Sequence, residues 1–462
     1  MKKIALPLLG LLMSTSVSAQ FDLESNLSDA EKLYGLSKFW SEATYNFAFF
    51  DQTDVNWDSA YQAFIPRVLA TPNTFEYYRE LKRFCALLQD GHTDVYAPES
   101  LYQSSFFIRL IFMRMGDKII VKNVAKVDAD KVPVGSELLT VDGLPAKVYF
   151  ETSVLPYISG STEHERWNDA LRSFTYPLRD TLQSQAMVFL TPSGEKVTYH
   201  HRCHNANTTF VHDFGEWKRF DFEMLPDDVA HVTINTFGDS EVVGDFVAKL
   251  PELKAASAVI LDLRGNGGGN SDVGAEILQY FTDQNLLGSV WRTRQHRPAY
   301  KAWGDWLLTE DITNLDEWPE DEQEWYHTSV NTALGESWYI GDTMHFVNQF
   351  ETAQITSPLI ILISNYTASA AEDFLIFADG LGDRATVIGQ RSFGSTGQPM
   401  QFDLPGGGSA RICTKRDSYP DGREFVGFGV EPDIFIEPTI NDLISGRDIE
   451  LDRALEYLHQ KK

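Results

Sequence analysis

Two short apolar runs, Ala258–Leu263 and Leu359–Ser364, place the strongest constraint on how this chain folds. Each run has the length of a single β-strand. A third strand pattern, Val229–Ile234, lies upstream, and helical patterns separate the strands. Strands that alternate with helices favour an α/β fold, so we expect an α/β core from about residue 221 to residue 438.

The first apolar run leads into a glycine-rich loop, residues 262–270, which reads Asp-Leu-Arg-Gly-Asn-Gly-Gly-Gly-Asn. Glycines adopt positive φ freely, and such a loop turns successive backbone N–H groups toward one point, where an anion or an oxyanion is held. No Gly-Lys-Ser/Thr follows the loop and no GxGxxG pattern fits it, which argues against nucleotide binding.

The second run leads through a polar turn into a helix start crowded with small residues, Ala368-Ser369-Ala370-Ala371. A serine there has backbone N–H groups beside it and the positive end of a helix beneath it, and small neighbours let a substrate backbone approach. A serine at a helix start is more often an N-cap than a nucleophile. The pairing with the glycine-rich loop favours Ser369 as a nucleophile.

Sequence patterns divide the rest of the chain. Residues 20–104 show helical spacing and predict an N-terminal helical domain, whereas residues 105–205 carry short β-branched runs and predict a β-rich module. The α/β core, whose alternating strands and helices span about residues 221–438, is placed in a domain of residues 206–445. Residues 446–462 are expected to form a C-terminal helix. Within the core, an insertion at about 291–354 holds six of the ten tryptophans. This insertion is either a packed helical excursion or a cap over the active site.

Two local signals mark the ends of elements. Ser28 followed by Glu31 predicts a capping box at the start of the helical domain. Asp142-Gly143 lies between two apolar runs and predicts a tight turn.

The first 19 residues have the pattern of a secretory signal peptide. Lys2 and Lys3 precede an apolar run, and cleavage is expected after Ala19. No later stretch reaches the length of a transmembrane helix, so we expect a periplasmic or secreted protein with no membrane span.

Charge and the number of cysteines and clustered histidines limit what this chain can bind and how it can be cross-linked. The chain has 39 basic and 66 acidic residues and a formal net charge of −27, which excludes a general nucleic-acid binder. Cys85, Cys203 and Cys413 allow at most one intramolecular disulfide, and buried thiols are the simpler interpretation. The run His200–His204 has no second ligand pair nearby, so we expect no metal site and no cofactor.

Several motifs follow one another along the chain: Leu87–Thr93 with its Asp-Gly-His element, Val134–Gly143, Asp262–Gly269, Ala368–Glu372, Val387–Gln390, Ser392–Gly394, Pro420–Gly422 and Gly429–Ile434. In this order they resemble peptidase family S41, the tail-specific or C-terminal processing proteases. The resemblance covers nearly the whole chain after the signal segment. It implies a crotonase-like α/β core preceded by a helical domain and a PDZ-like module.

The resemblance implies that Ser369 is the nucleophile. It also implies an oxyanion hole made of the Ala370 N–H and one N–H of the glycine-rich loop. Gly268 is favoured for the second donor, because relatives carry proline, which has no N–H, at the position of Gly267. The better-known branch uses a lysine after the nucleophile as base, but Ser395 stands at that position, which excludes this Ser-Lys dyad.

His92 is the expected general base, since it resembles the histidine of the tricorn branch, where serine, histidine, serine and glutamate act together. An unperturbed pKa of about 6.5 suits a base at neutral pH. Glu424 is the first choice for the orienting acid, with Asp90 or Glu372 behind it, and Lys415 is a reserve base.

The resemblance therefore implies a serine endopeptidase that needs no cofactor and cleaves peptides or unfolded proteins, and the signal pattern implies that it is exported. The PDZ-like module would bind the substrate as an added strand. The tricorn branch has a serine before its histidine, where Gly91 stands here, so that member is unassigned. Two alternatives stay open. One is a non-catalytic protein on the same fold that binds peptides or hydrophobic ligands, and the other is a crotonase-like acyl-transfer enzyme. The sequence does not indicate the oligomeric state.

Overall fold

The computed structural model describes the following residues: 26–101, 108–175, 185–201, 208–213 and 215–461. The predicted signal peptide at residues 1–19 lies outside them, as do Cys203 and His204. No helix within the described residues is both long and apolar enough to cross a bilayer.

The N-terminal region is helical, as its spacing predicts. Ser28 and Glu31 form the predicted capping box at the first helix. The helices bury their apolar faces in one hydrophobic cluster with the α/β region, so the two regions share a core. The elements are α1 (Asp29–Asn46), α2 (Trp57–Leu69), α3 (Thr74–Cys85) and the strand β1 (Asp94–Tyr96).

Residues 108–213, which we call the β-rich region, contain an antiparallel sheet with its own hydrophobic cluster. Its elements are β2 (Leu110–Met115), β3 (Lys118–Val124), β4 (Glu137–Val141), β5 (Leu144–Pro145), α4 (Ala146–Ser153), α5 (Glu163–Thr175), β6 (Gln185–Leu190) and β7 (Lys196–His201). The sheet order is β2-β3-β4-β6-β7, and β5 pairs with β4. The predicted turn Asp142-Gly143 joins β4 to β5 with both residues at positive φ, as a type I′ turn requires.

The strands of the third region are β8 (Phe220–Leu225), β9 (Val229–Ile234), β10 (Ala258–Asp262), β11 (Leu286–Leu287), β12 (Val290–Arg294), β13 (Trp338–Ile340), β14 (His345–Phe346), β15 (Leu359–Ile363), β16 (Ala385–Gly389), β17 (Pro399–Leu404), β18 (Gly408–Cys413), β19 (Lys415–Ser418) and β20 (Ile434–Phe435). Six of them form one sheet of order β20-β16-β15-β10-β9-β8, in which only β8 is antiparallel to its neighbour. Its helices are α6 (Glu241–Ala248), α7 (Leu250–Ala255), α8 (Ser271–Leu278), α9 (Pro298–Leu307), α10 (Glu320–Ala333), α11 (Ala370–Asp379), α12 (Ile440–Ser445) and α13 (Ile449–Lys461). Every residue of β10 and β15, the two apolar runs, is buried. The α/β prediction is confirmed.

The tryptophan-rich insertion contains a helical hairpin in which α9 packs on α10. A side chain at Gly304 would clash with the Ser329 carbonyl, so the two helices approach closely there. The rings of Trp303 and Trp325 lie 5.8 Å apart across the hairpin. These contacts are those of a packed helical excursion.

Candidate active site

The two strand ends that carry the polar motifs meet at one edge of the sheet. β10 and β15 are parallel neighbours, so their carboxyl ends lie side by side. The glycine-rich loop follows β10 and Ser369 follows β15. A Cβ added to Gly268 would lie 2.7 Å from the Ser369 Cβ, and the φ of Gly268 is +101°. Only glycine fits this position.

Ser369 is the N-cap residue of α11, with φ 56° and ψ −122°. A non-glycine residue in such a sparsely populated region is strained, a feature that often marks functional sites. The Ser369 N–H donates to Glu372 Oε2 at 3.1 Å. Its hydroxyl lies 3.2 Å from Nε2 of His92. The backbone takes the N-cap position while the hydroxyl faces the imidazole.

His92 reaches this edge because the strand that follows it, β1, pairs antiparallel with β18 of the α/β region. The Thr93 hydroxyl also accepts the Cys413 N–H at 3.0 Å. His92 is only 9% exposed. The pairing of β1 with β18 therefore places the imidazole at the carboxyl ends of the strands of the six-stranded sheet.

Ser395 is the second hydrogen-bond partner of the imidazole. Its hydroxyl lies 2.7 Å from Nδ1 of His92 and donates to Oδ1 of Asp90 at 3.4 Å. A hydroxyl has one proton, and because Ser395 gives it to Asp90, its oxygen accepts the Nδ1–H of His92. Nε2 is then the unprotonated nitrogen and faces Ser369, as a general base requires.

The Glu372 carboxylate hydrogen-bonds both to the backbone at Ser369 and to the loop that carries Ser395. Its Oε2 accepts the N–H of Ser369 at 3.1 Å and that of Ser395 at 3.2 Å. Its Oε1 accepts the N–H of Gly394 at 2.7 Å and the hydroxyl of Ser392 at 2.5 Å. Burial raises the pKa of Glu372 to about 8, and the hydrogen bonds oppose this shift. Glu372 thus holds the two loops together and makes no hydrogen bond to the imidazole in the described chain.

Burial controls the charge of the imidazole. It lowers the pKa of His92 to about 3, and the positive charges of Arg411 and Lys415 act in the same direction. Burial raises the pKa of Asp90, while hydrogen bonds from Thr93 and Ser161 oppose this rise. The imidazole is therefore neutral at physiological pH, the protonation state in which it accepts a proton.

The two predicted oxyanion donors differ in their present partners. The Ala370 N–H begins α11 and has no hydrogen-bond partner within the described residues. The Gly268 N–H donates to Oδ1 of Asn266 at 2.9 Å. One donor is open, and the other is engaged by a neighbouring side chain.

The structure does not bring Glu424 or Lys415 into this group. The Glu424 carboxylate forms ion pairs with Arg416 at 2.6 Å and with Arg292 at 3.2 Å. Lys415 Nζ pairs with buried Asp417 at 3.0 Å. Neither residue hydrogen-bonds to the imidazole in the described chain. The hydroxyl of Ser395, which contacts the imidazole, donates to Asp90, one of the two acids that the sequence analysis places behind Glu424.

The hydroxyl of Ser395 lies beside the imidazole of His92, whereas the position before the histidine is a glycine. Gly91 has no room for a side chain, since a Cβ there would lie 2.1 Å from Oε1 of Glu165. The hydroxyl beside the imidazole comes instead from a loop 303 residues away. The available signal was the polar residue at position 395, where a lysine base stands in the better-known branch.

The described residues include no group of three or more histidine, cysteine, aspartate or glutamate side chains placed to hold a metal ion.

A strained serine at a helix N-terminus, a neutral imidazole at its hydroxyl and an open backbone N–H beside it have the layout of a serine hydrolase site. Residues 228–436 match the model of peptidase family S41. The region that carries the glycine-rich loop, Ser369 and Ser395 is therefore similar to this peptidase family.

Named relatives agree with this assignment. The carboxy-terminal-processing protease of Bartonella bacilliformis is 34% identical over 115 residues, which cover 24% of this chain and 26% of that protein. The carboxyl-terminal-processing protease of a Picosynechococcus species is 23% identical over 239 residues, 50% of this chain and 45% of that protein. The chain thus matches about a quarter to just under half of the length of these relatives.

Among solved structures, mature CPAF in complex with lactacystin is similar over 94% of this chain and 98% of CPAF. The TM-score is 0.66 and the sequence identity is 17%. This likeness shows a shared fold.

Proposed function

We propose that this chain is an exported serine endopeptidase that hydrolyses peptide bonds of protein or peptide substrates, with Ser369 as nucleophile and His92 as general base. The observation that carries the proposal is the 3.2 Å distance between Ser369 Oγ and His92 Nε2. This distance is within hydrogen-bond reach for proton transfer. The peptidase family supports the reaction class.

In the proposed reaction, Ser369 Oγ attacks the carbonyl carbon of the scissile bond while its proton passes to Nε2 of His92. The carbonyl oxygen becomes the oxyanion of a tetrahedral intermediate. The imidazolium then gives the proton to the leaving amine, the C–N bond breaks, and an acyl-enzyme ester remains. A water molecule cleaves the ester by the same route, and its proton returns to Ser369 through His92.

Ser395 and Asp90 have positioning roles in this proposal. Ser395 receives the Nδ1–H of His92, which keeps Nε2 free for the proton of Ser369. Asp90 accepts the Ser395 hydroxyl and stabilises the imidazolium that forms during attack. The oxyanion that develops beside His92 adds to this stabilisation, which a buried imidazole with a low pKa needs.

The oxyanion is held by the N–H groups of Ala370 and Gly268. The Ala370 N–H is supported by the positive end of α11. The Gly268 N–H exchanges Asn266 Oδ1 for the oxyanion when substrate is present, because a hydrogen bond to a charged oxygen is the stronger one.

The finer assignments of fold and location belong to the same proposal. Residues 206–445 are a crotonase-like core, residues 105–205 a PDZ-like module, and residues 20–104 a helical domain. The antiparallel sheet of the β-rich region, which has its own core, supports a separate module to which a peptide adds as a strand. The signal pattern at residues 1–19 supports a periplasmic or secreted location.

The direct test compares the wild-type chain with Ser369→Ala on an unfolded protein such as reduced casein. We expect cleavage by the wild type and none by the variant. Cleavage at the same rate by both would contradict the proposal. Two further results would support the alternatives: ligand binding without turnover, and acyl-CoA turnover without peptide cleavage.

A further inference from the structure

A short piece of the β-rich region, residues 159–165 at the start of α5, contacts the loop that carries the imidazole. We call it the bridging segment. The Asp90 N–H donates to the hydroxyl of Ser159 at 3.2 Å, and this hydroxyl donates to the Asp90 carbonyl at 2.8 Å. This pair of hydrogen bonds fixes the backbone two residues before His92.

The same segment contacts the loop that carries Ser395. The Thr162 hydroxyl donates to the Phe393 carbonyl at 3.1 Å. His164 Nε2 lies 2.8 Å from the Ser392 carbonyl, which accepts its proton. The bridging segment therefore joins the two loops that meet at the imidazole, although it belongs to the β-rich region.

Ser161 is the residue of this segment that contacts the side chain of Asp90, which is hydrogen-bonded through Ser395 to His92. Its hydroxyl accepts the Gly91 N–H at 3.0 Å and donates to Oδ1 of Asp90 at 3.2 Å. This is the same oxygen that accepts the hydroxyl of Ser395. Ser161 thus holds the Asp90 carboxylate in the position from which it orients Ser395.

Glu165 fixes the conformation of Ser161. Its Oε2 accepts the N–H of Ser161 at 2.6 Å and that of Thr162 at 3.3 Å. Glu165 is 1% exposed, and its Oε1 lies against Gly91. Because this buried carboxyl accepts two backbone N–H groups, it fixes the backbone of the bridging segment. The hydroxyl of Ser161 is therefore held in position beside Asp90.

We propose that Ser161 is a positioning residue for the reaction, which acts through Asp90 and Ser395 on the imidazole of His92. The β-rich region thereby takes part in the chemical step as well as in any binding of substrate. This inference rests on the proposed peptidase function. It goes beyond that function, because it assigns a role to a residue outside the predicted catalytic core.

The test measures kcat and KM on one peptide substrate for Ser161→Ala, Ser161→Cys and Ser161→Thr. Ser193→Ala is the matched control, since Ser193 is an exposed serine of the same region whose hydroxyl contacts Thr191. We expect Ser161→Ala to lower kcat about tenfold, as the loss of one hydrogen bond between polar groups does, and to leave KM within about twofold. The rate of labelling by a fluorophosphonate should fall with kcat. Ser161→Thr, which keeps a hydroxyl, should recover most of the loss, and Ser193→Ala should match the wild type.

Full kcat in a folded Ser161→Ala variant would overturn the inference, as would a rise in KM with unchanged kcat. If Ser161→Ala does not fold, Ser161→Cys replaces it, because its size is close to that of serine and its thiol is a weak donor. Full kcat in Ser161→Cys would also overturn the inference. The proposed function is judged separately by Ser369→Ala. Full activity of Ser369→Ala would contradict the proposed peptidase function. An inactive Ser369→Ala together with a fully active Ser161→Ala would contradict only the positioning role of Ser161.

Discussion

The hydroxyl oxygen of Ser395 lies 2.7 Å from Nδ1 of His92, while the hydroxyl of Ser369 faces Nε2 of the same ring. The imidazole thus lies between two serine hydroxyls, one at each ring nitrogen. In the better-known branch of the family, the position of Ser395 carries a lysine base. In the proposed site, Ser395 at that position orients the base, and the base is His92 of the N-terminal region.

Replacing Ser395 by alanine tests the orienting contact. The variant leaves the Nδ1 of His92 without its acceptor, so the tautomer with a free Nε2 is no longer favoured. We expect kcat to fall roughly 10²-fold, less than the roughly 10⁴-fold loss that a reversed tautomer causes in a Ser-His-Asp triad, and KM to change little. Steady-state kinetics check this, with Ser193→Ala as control. A kcat within about twofold of the wild type would contradict the assignment.

Asp90 and Glu424 can be compared directly as acids. Asp90→Asn removes a carboxylate that accepts hydrogen bonds from Ser395, Ser161 and Thr93, so we expect at least a tenfold fall in kcat. Glu424→Gln weakens ion pairs that are partly exposed, so we expect kcat within about threefold of the wild type. The opposite order of effects would restore Glu424 as the orienting acid.

The glycine-rich loop offers a matched pair of substitutions. Gly268→Ala places a Cβ 2.7 Å from that of Ser369 at a φ of +101°, so we expect activity to be lost and the melting temperature to fall. Gly267→Ala meets no atom within 4 Å, so we expect near wild-type activity. Peptidase assays and thermal unfolding of both variants check this. Equal activities would show that the close approach of Gly268 to Ser369 is unimportant.

The buried imidazole predicts an unusual pH dependence. Because the pKa of His92 is lowered to about 3, its neutral form persists well below pH 6.5, and kcat/KM should show no acid limb near pH 6.5. The unfolded chain binds the His92 proton near pH 6.5. This group therefore stabilises the folded state fully above pH 6.5, and the contribution is lost as the pH falls toward 3. A pH profile with circular dichroism at each pH separates the two effects. An acid limb near pH 6.5 in folded protein would contradict the burial of His92.

Local sequence patterns were enough to predict the part of the candidate site that contains the glycine-rich loop and Ser369. The buried strands β10 and β15, the glycine-rich loop and Ser369 lie in continuous segments whose spacing and residue types indicate their structure. Because parallel neighbours end at the same edge of a sheet, the two motifs meet once the α/β fold forms.

The other side depends on long-range pairing, which a single sequence does not encode in any local pattern. His92 meets Ser369 across 277 residues, and only family resemblance indicated the pair. Glu424 was preferred as the acid, yet Arg416 and Arg292 occupy its carboxylate. Which arginine neutralises a carboxylate depends on how β12 and β19 pair, and this register is set by tertiary structure.

Labelling with a fluorophosphonate followed by peptide mapping shows whether Ser369 is a nucleophile activated by His92. We expect a single adduct on Ser369 of the wild-type chain, none on Ser369→Ala, and labelling slowed by several orders of magnitude in His92→Ala. Active wild-type protein without an adduct on Ser369 would contradict it. Labelling of Ser369 at an unchanged rate in His92→Ala would contradict it as well.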